Sequence, residues 1–598
     1  MDPRTVAHVL EQIADFLELQ GENRFKSRAY AIAARAVRAL DADSLRDMHR
    51  SGALASVAGL GPATLGVIGE LVETGESSYF ERLRESMPAG LIEMLRVPGL
   101  GTAKIHAIHQ GLGLGSVREL EDAARDGRLA SLKGFGPKTA ERILKGVALL
   151  RETRDYVLSH RALAEAIRLR ASIESHPDVE RAAIAGSVRR RSEVVRDIDI
   201  VAACRSAPAE VAASFARAPG VREVTGAGGR SVCIRFVDGT KLDLHCVTPA
   251  QFGVALWRST GSADHVTALR ARAAERGFTI VEDELRAPGD AAVAIADELA
   301  LYSALGLPYI EPELREGRGE IEAGARGTLP TLITATDIRG VLHCHSQYSD
   351  GKATIAEMAA AAKARGWSYL GISDHSQAAF YAGGLSPERV LEQHAEIDRV
   401  NEQLDGFRVL KGVEADILAD GRVDYDDETL SRFDYVVGSV HSRFGLDQRA
   451  MTDRVLRAMD DPHLTILGHP TGRLLLAREP YAIDMHAVLE KAAEMGVAVE
   501  LNADPHRLDL DWRLCRTAKE LGVSVEIGPD AHSTPGLDNV EIGIGIARKG
   551  WLEAGDVLNT RGADEVVRRA RARRDSALGR GPVEGGPVHS AQLVAGKS

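Results

Sequence analysis

Apolar positions recur at helical spacing from the start of the chain. Val6, Val9, Leu10, Ile13, Phe16 and Leu17 form one stripe, and Ala29, Ile32, Ala33, Ala36 and Leu40 a second, which predicts a helical unit over residues 5–50. A short apolar stem, a glycine turn and a new helix then repeat three times, with turns at Gly59-Leu60-Gly61-Pro62, Gly99-Leu100-Gly101-Thr102 and Gly134-Phe135-Gly136-Pro137. The pattern changes at Ala182-Ala183-Ile184-Ala185, where strand-like runs begin; they return at residues 197–202, 231–237 and 241–247, interleaved with helices, and predict an α+β unit. Residues 311–335 are rich in Gly, Glu and Pro and read as a linker. Beyond it, short apolar runs (Tyr369-Leu370-Gly371-Ile372, Tyr435-Val436-Val437, Ala498-Val499-Glu500-Leu501, Val523-Ser524-Val525-Glu526-Ile527) alternate with helices, as in a β/α barrel.

Length and composition narrow the picture. At 598 residues, 44% hydrophobic and 27% charged, the chain has room for about four ordinary globular domains. A formal charge of −12 argues against coating nucleic acid by charge alone, so any DNA contact must be local. Five cysteines without a C-x-x-C pair fit a reducing compartment. With no long apolar run and no basic-then-apolar leader, the expectation is a cytoplasmic protein without membrane contact. The last 38 residues, with eight basic and four acidic side chains and much Gly and Pro after Arg580, read as a mobile, mildly basic tail.

Three patterns carry chemistry. In the glycine turns, Gly59, Gly61, Gly99, Gly101, Gly134 and Gly136 allow backbone to approach a phosphate, with amides of the next helix aimed at the anion. Lys104, Lys138 and Arg142 lie nearby. Such turns grip sugar-phosphate without reading bases. Arg196-Asp197-Ile198-Asp199-Ile200 puts two carboxylates on one strand face with isoleucines behind, and Asp243 in Lys241-Leu242-Asp243-Leu244 offers a third. Three oxygen donors of this kind suit Mg²⁺ in phosphoryl transfer, and Gly186-Ser187-Val188-Arg189-Arg190 can offer amides, a hydroxyl and a guanidinium to a triphosphate. The third pattern is the most specific. His343, His345, Asp350, His375, Glu414, His441, His469, Asp530 and His532 all fall at or just beyond apolar strand-like runs, where a β/α barrel keeps its catalytic groups. Imidazole and carboxylate without thiolate suit Mn²⁺, Zn²⁺ or Fe²⁺. Arg473 is a candidate clamp for a phosphate oxygen, and His506 and Arg507 can line the substrate path.

Gly-Ser-x-Arg-Arg, Asp-x-Asp, a third Asp and Ser259-Thr260-Gly261-Ser262, preceded by the glycine turns, resemble the family X DNA polymerases. With the second half included, the chain is similar to bacterial members fused to a PHP phosphoesterase domain, over about residues 1–560. The resemblance implies a multidomain α+β and α/β fold: an 8-kDa-like helical domain (1–82), fingers with two helix-hairpin-helix turns (83–152), palm (153–260), thumb (261–315), linker (316–336), a PHP distorted barrel (337–560) and a flexible tail (561–598). It implies that Asp197, Asp199 and Asp243 hold Mg²⁺ or Mn²⁺ for nucleotidyl transfer and that Ser187, Arg190, Gly261 and Ser262 contact the incoming deoxynucleoside triphosphate. Lys26 and Tyr30 would meet a 5′ phosphate, while Val67 stands where lyase relatives carry the Schiff-base lysine, so no lyase chemistry is expected there. In the PHP half it assigns His343, His345, Glu414 and Asp530 to one ion, bridging Glu414 with His441 and His469 to a second, and Asp350, His375 and His532 to a third, in a 3′-5′ exonuclease. Gapped, nicked or 3′-recessed DNA is the implied partner of a monomer. Arg196 replaces a usual glycine, Arg258 and Ser259 replace an aromatic pair that packs on the nucleotide sugar, and Val281-Glu282-Asp283 replaces Asn-Glu-Tyr, which predicts weakened polymerisation. The rival readings are a histidinol-phosphatase-like small-molecule enzyme and a non-catalytic DNA-binding scaffold.

Overall fold

The computed structural model describes residues 3–580 except Glu22, Ala39, Asp41 and Ala89. The chain forms two units, Met1–Leu329 with Leu474–Glu479, and Pro330–Arg473 with Pro480–Ser598.

The first unit opens with helices Pro3–Leu19, Arg24–Arg38, Pro62–Thr74 and Ser78–Ser86 around Leu10, Ile13, Leu17, Val37, Ile68 and Leu71. The first predicted stripe is buried except for the partly buried Val9, but the second is rotated by one position. Tyr30, Ala33, Ala34 and Val37 face the core, whereas Ala29 is exposed. Alanine is nearly indifferent to burial, so the larger Tyr30 and Val37 select the face. Helices Gly90–Leu95, Thr102–Leu112, Val117–Arg125 and Pro137–Thr153 gather around a separate core that includes Leu91, Ile105, Leu120 and Ile143. Next comes a five-stranded sheet with spatial order Val179–Ile184, Ile198–Cys204, Lys241–Val247, Ser231–Phe236 and Val221–Gly228. Ile198 and Ile200 are buried behind its carboxylate face, as their alternation predicts.

The stretch expected as a linker is folded in its first part. Arg315 is fully buried and pairs with Glu298, and helix Glu320–Arg326 begins with a buried carboxylate that lies 2.6 Å from His265 Nδ1 and accepts from the Gly317 and Arg318 amides. Gly, Glu and Pro content marks irregular backbone, but it does not reveal that these charges are satisfied inside a core.

The second unit is a barrel of seven parallel strands in sequential order: Gly340–Val341, Tyr369–Ile372, Arg408–Asp416, Tyr435–Ser439, Ile466–Leu467, Ala498–Asn502 and Val525–Gly528. Their near-continuous apolar runs are those of strands covered on both faces. At the C-terminal ends the seam between first and last strands is bridged directly, by His345 N to Ala531 O at 2.9 Å. At the other end Asn559 closes it, donating to the Gly340 and Ile527 carbonyls at 3.1 Å each and accepting from Ile527 N at 2.6 Å. The Tyr435 ring fills the interior beside Gly371 and Gly412, where any Cβ would lie 2.2 Å from ring or hydroxyl. The expected tail is helical as far as Ala577. Val566, Val567 and Ala570 on helix Ala563–Ala577 pack against Leu342, Leu410 and Val437, so this apolar stripe outweighs the basic character of the segment. The remainder of the tail, from Gly581, lies outside the described residues.

Candidate functional site

In each glycine hairpin the first glycine is left-handed (φ 92° at Gly59, 79° at Gly99, 90° at Gly134), a conformation that side-chain-bearing residues rarely adopt. The second, Gly61, Gly101 or Gly136, is extended and caps the following helix without a side-chain hydrogen bond. A Cβ at Gly61, Gly101, Gly134 or Gly136 would meet nothing within 4 Å, so open space lies before these helix starts. Lys138 is exposed beside the third turn, while Lys104 Nζ is bonded to the Gly99 carbonyl at 3.1 Å. Lys26 Nζ sits 5.7 Å from the Tyr79 ring centre; Tyr30 is buried and stacked on Tyr79, so its ring serves the core. Val67 is likewise buried.

The aspartates are brought together by strand register. Ile198–Cys204 and Lys241–Val247 run parallel with Asp199 paired to Asp243, and Asp197 precedes the first of them by one residue. Burial, then the charges of Asp197 and Asp243, push Asp199 up to about 7; burial and Asp243 also raise Asp197. Gly186 (φ 60°) lies so close that a Cβ there would be 1.7 Å from Asp199 Oδ2. Most neighbouring polar groups are already committed. Arg190 donates to Glu316 (2.9 Å) and to the Thr260 carbonyl (2.8 Å), although its charge still reaches Asp199. Arg189 pairs with Glu298, and the Ser262 hydroxyl accepts from His265 N at 3.1 Å as a helix cap. Gly261 is required by the His265 ring, which would lie 2.7 Å from its Cβ. Ser187 opens the short helix Gly186–Arg189 and is half-buried. Arg196 stacks on Tyr156 (4.4 Å), and Arg258 lies 2.8 Å from Asp283, which also lies 2.9 Å from His245.

All nine expected ligands of the barrel converge at its C-terminal end. His343 Nε2 is 3.5 Å from Glu414 and 3.8 Å from Asp530, and His345 Nε2 is 3.4 Å from Asp530. His375, His441 and His469 reach Glu414 at 2.9, 3.2 and 3.0 Å, while His532 and His375 reach Asp350 at 3.3 and 3.7 Å. Three subsets can each hold one ion: His343, His345 and Asp530; His375, Glu414 and His441; His345, Asp350, His375 and His532. Buried nitrogens of His343, His345 and His375 face the Glu414 and Asp530 carboxylates without hydrogen-bond geometry, as expected where a cation would sit between them. His469 (φ 21°) and Asp530 (φ 49°) hold left-handed backbone, strain of the kind that accumulates at functional sites. Burial opposes charge on His441 and His532, yet Glu414 and Asp416 raise the first to about 10, and Asp350 and Asp530 raise the second to about 9. Burial of His345, reinforced by the neighbouring imidazoles His375 and His532, lowers it to about 3.

Sequence reasoning missed the carboxylates that aim these ligands. Glu500 Oε1 lies 2.6 Å from His343 Nδ1, and Asp416 Oδ1 lies 2.6 Å from His441 Nδ1, which orients each ring's other nitrogen toward Glu414. The signals were a lone Glu inside the apolar run 498–501 and an acid two residues beyond Glu414. Cys344 is fully buried and bridges to Ala531 between the two ligands. Arg473 is not free to clamp a phosphate: it is buried and donates to the Arg507 and Leu508 carbonyls and to Asp511. It braces the loop that carries Arg507, whose Nε lies 3.5 Å from Asp530 Oδ2. His506 is half-exposed beside Asp504.

Family models match at residues 1–77 (helix-hairpin-helix domain), 91–148 (SAM-like helix-hairpin-helix tandem), 255–316 (DNA polymerase beta thumb) and 342–504 (PHP domain). The DNA polymerase/3′-5′ exonuclease PolX of Bacillus subtilis is 37% identical over 573 residues, covering 95% of this chain and 99% of the relative. The chain belongs to the PolX family. Proteins named "Probable phosphatase" from Syntrophotalea carbinolica (33% over 166 residues, 64% of that protein) and Caldicellulosiruptor saccharolyticus (30% over 174 residues, 64% of that protein) match 27% of this chain each. This PolX chain thus joins a family X polymerase half to a PHP half, and the phosphatase relatives share only the PHP part. Among the described residues no helix is long and apolar enough to cross a membrane.

Proposed function

We propose that the chain binds gapped, nicked or 3′-recessed DNA as a cytoplasmic monomer, extends primers from deoxynucleoside triphosphates at Asp197, Asp199 and Asp243, and trims 3′ ends at the barrel mouth. The observation that carries this reading is that eight of the expected ligands form three groups that could each hold an ion, with the ninth, His469, 3.0 Å from Glu414. His343, His345, Asp350, His375, Glu414, His441, His469, Asp530 and His532 would hold Mn²⁺, Zn²⁺ or Fe²⁺, and the aspartate triad Mg²⁺ or Mn²⁺. Divalent cations in such sites supply an activated water and neutralise charge on the phosphate. The chain's own part is orientation. Asp416 and Glu500 fix the imidazoles, Glu414 sits where most of them meet, and Arg507, beside Asp530, would meet a phosphate oxygen at the cluster. The glycine hairpins grip the sugar-phosphate backbone through helix-start amides, with Lys26 and Lys138 alongside.

The departures near the triad carry a further consequence. Arg258, His245 and Asp283 bind one another, so the surroundings favour metal over tight nucleotide binding, and synthesis is expected to be slow. A gapped duplex with a 5′-labelled primer, incubated with Mn²⁺ or Mg²⁺ with and without nucleotides, reads both activities. Shortening without nucleotides and extension with them are expected; a primer unchanged in all four conditions contradicts the proposal.

A further inference from the structure

Phe380 and Tyr381 form a one-turn helix, Phe380–Ala382, and are 83% and 63% exposed. Two large rings in water are unfavourable unless something covers them. The loop beneath is firmly built. Ala379 and Ala382 are buried, Leu385 N donates to the His375 carbonyl (2.9 Å), Ala378 N to Asp424 (2.7 Å), and Arg389 to the Gly383 carbonyl (3.1 Å). At Gly384 a Cβ would lie 2.0 Å from the Ser376 carbonyl oxygen, so the tight return of the chain is part of the design. The aromatics are therefore held outward by a fixed backbone that starts five residues after the ligand His375.

Their position relates them to the chemistry. The Tyr381 ring is 6.5 Å from that of His441, and Phe380 stands edge-on to Tyr381 at 6.0 Å. The Tyr381 ring stands edge-on to the His441 imidazole, so it borders the ligand cluster while most of its surface stays exposed. A phosphate ester held at the His441 side of the cluster would leave its attached nucleotide beside the two rings.

We propose that Phe380 and Tyr381 are a stacking platform for the unpaired terminal nucleotides of the DNA strand being trimmed. Every base has a π face, so such a platform selects single-stranded or frayed ends without reading sequence. It gives the PHP half a preference for polynucleotide ends over small phosphate esters. The inference rests on the exonuclease reading of the barrel.

The test compares wild-type full-length chain with F380A/Y381A on two substrates in Mn²⁺: a 5′-labelled oligonucleotide with an unpaired 3′ end, and bis(p-nitrophenyl) phosphate. The expected result is a drop of about tenfold or more in kcat/KM on the oligonucleotide, mainly through KM, with hydrolysis of the small diester within about twofold of wild type. Y381F should retain oligonucleotide activity, because stacking needs the ring and not the hydroxyl. Equal oligonucleotide trimming by wild type and F380A/Y381A overturns the platform while leaving the nuclease assignment intact. A loss in Y381F equal to that in the double variant also overturns it, in favour of a role for the hydroxyl. Absence of trimming by wild type, with the small diester still cleaved, overturns the exonuclease reading itself.

Discussion

The palm-type sheet and the barrel each collect acidic ligands at strand ends, but they prepare them differently. In the sheet, one register pairing, Asp199 with Asp243, plus an adjacent Asp197, creates a site whose charges repel; nearby Arg189, Arg190 and Ser262 are spent on bonds to the protein. In the barrel, candidate ligands from successive strands turn imidazole nitrogens toward Glu414 and Asp530, and a second layer of carboxylates aims the rings. One site is built around a few acids with a modest positional demand, whereas the other gathers enough imidazoles and carboxylates for groups that could hold three cations. Isolated buried charge of this density is costly unless cations or protons compensate it.

The largest expected effects separate the two sites. His343→Ala or Glu414→Ala should lower Mn²⁺-dependent trimming by more than about 100-fold and leave primer extension intact; Asp243→Ala should do the reverse. A gel assay that reads both activities from one labelled primer checks this, and loss of both activities in either variant would break the comparison.

Acidity should sharpen it next. His441 and His532 titrate at about 10 and 9, above the ordinary 6.5, so without metal their protonation stabilises the fold fully below 6.5, and that stabilisation is lost as pH rises through 9 to 10. Cations compete for the same nitrogens, so barrel affinity for Mn²⁺ should climb about tenfold per pH unit per displaced proton between pH 7 and 9. In the sheet Asp199 titrates at about 7, and affinity there should level off above that pH. Metal titrations of the Asp243→Ala and His343→Ala variants across pH 6–9 distinguish the two curves; parallel curves would remove the distinction.

Glu500→Gln and Asp416→Asn test the second layer. Each should weaken Mn²⁺ binding by about 10–100-fold, with trimming restored at higher Mn²⁺. A variant that stays inactive at saturating Mn²⁺ would make its carboxylate more than an orienting group. The smallest effect is expected at the barrel seam, where Asn559→Ala should cost about 1–3 kcal/mol through buried carbonyls left without a donor, read as a lower denaturation midpoint.

Much of this was legible in the chain. The nine barrel ligands stood at the ends of apolar runs, and Asp197, Asp199 and Asp243 stood in alternation, because strand geometry projects such residues onto one face or one rim. What escaped depends on three-dimensional neighbours. Arg473 looks like a phosphate clamp until the carbonyls of Arg507 and Leu508 are seen to occupy it. Arg315 and Glu320 looked like linker charges because burial partners such as Glu298 and His265 lie far from them in sequence. Helix Ala563–Ala577 was hidden by its arginines, one of which, Arg573, is itself buried and donates to the Met459 and Asp461 carbonyls beside the seated Val566, Val567 and Ala570.

The most direct test of the central claim is the number of Mn²⁺ ions bound per chain, measured by titration of free Mn²⁺ in the Asp243→Ala background. The account predicts more than one ion held at the barrel and their loss on further replacement of His343 and Glu414. An unchanged stoichiometry after those replacements would contradict it.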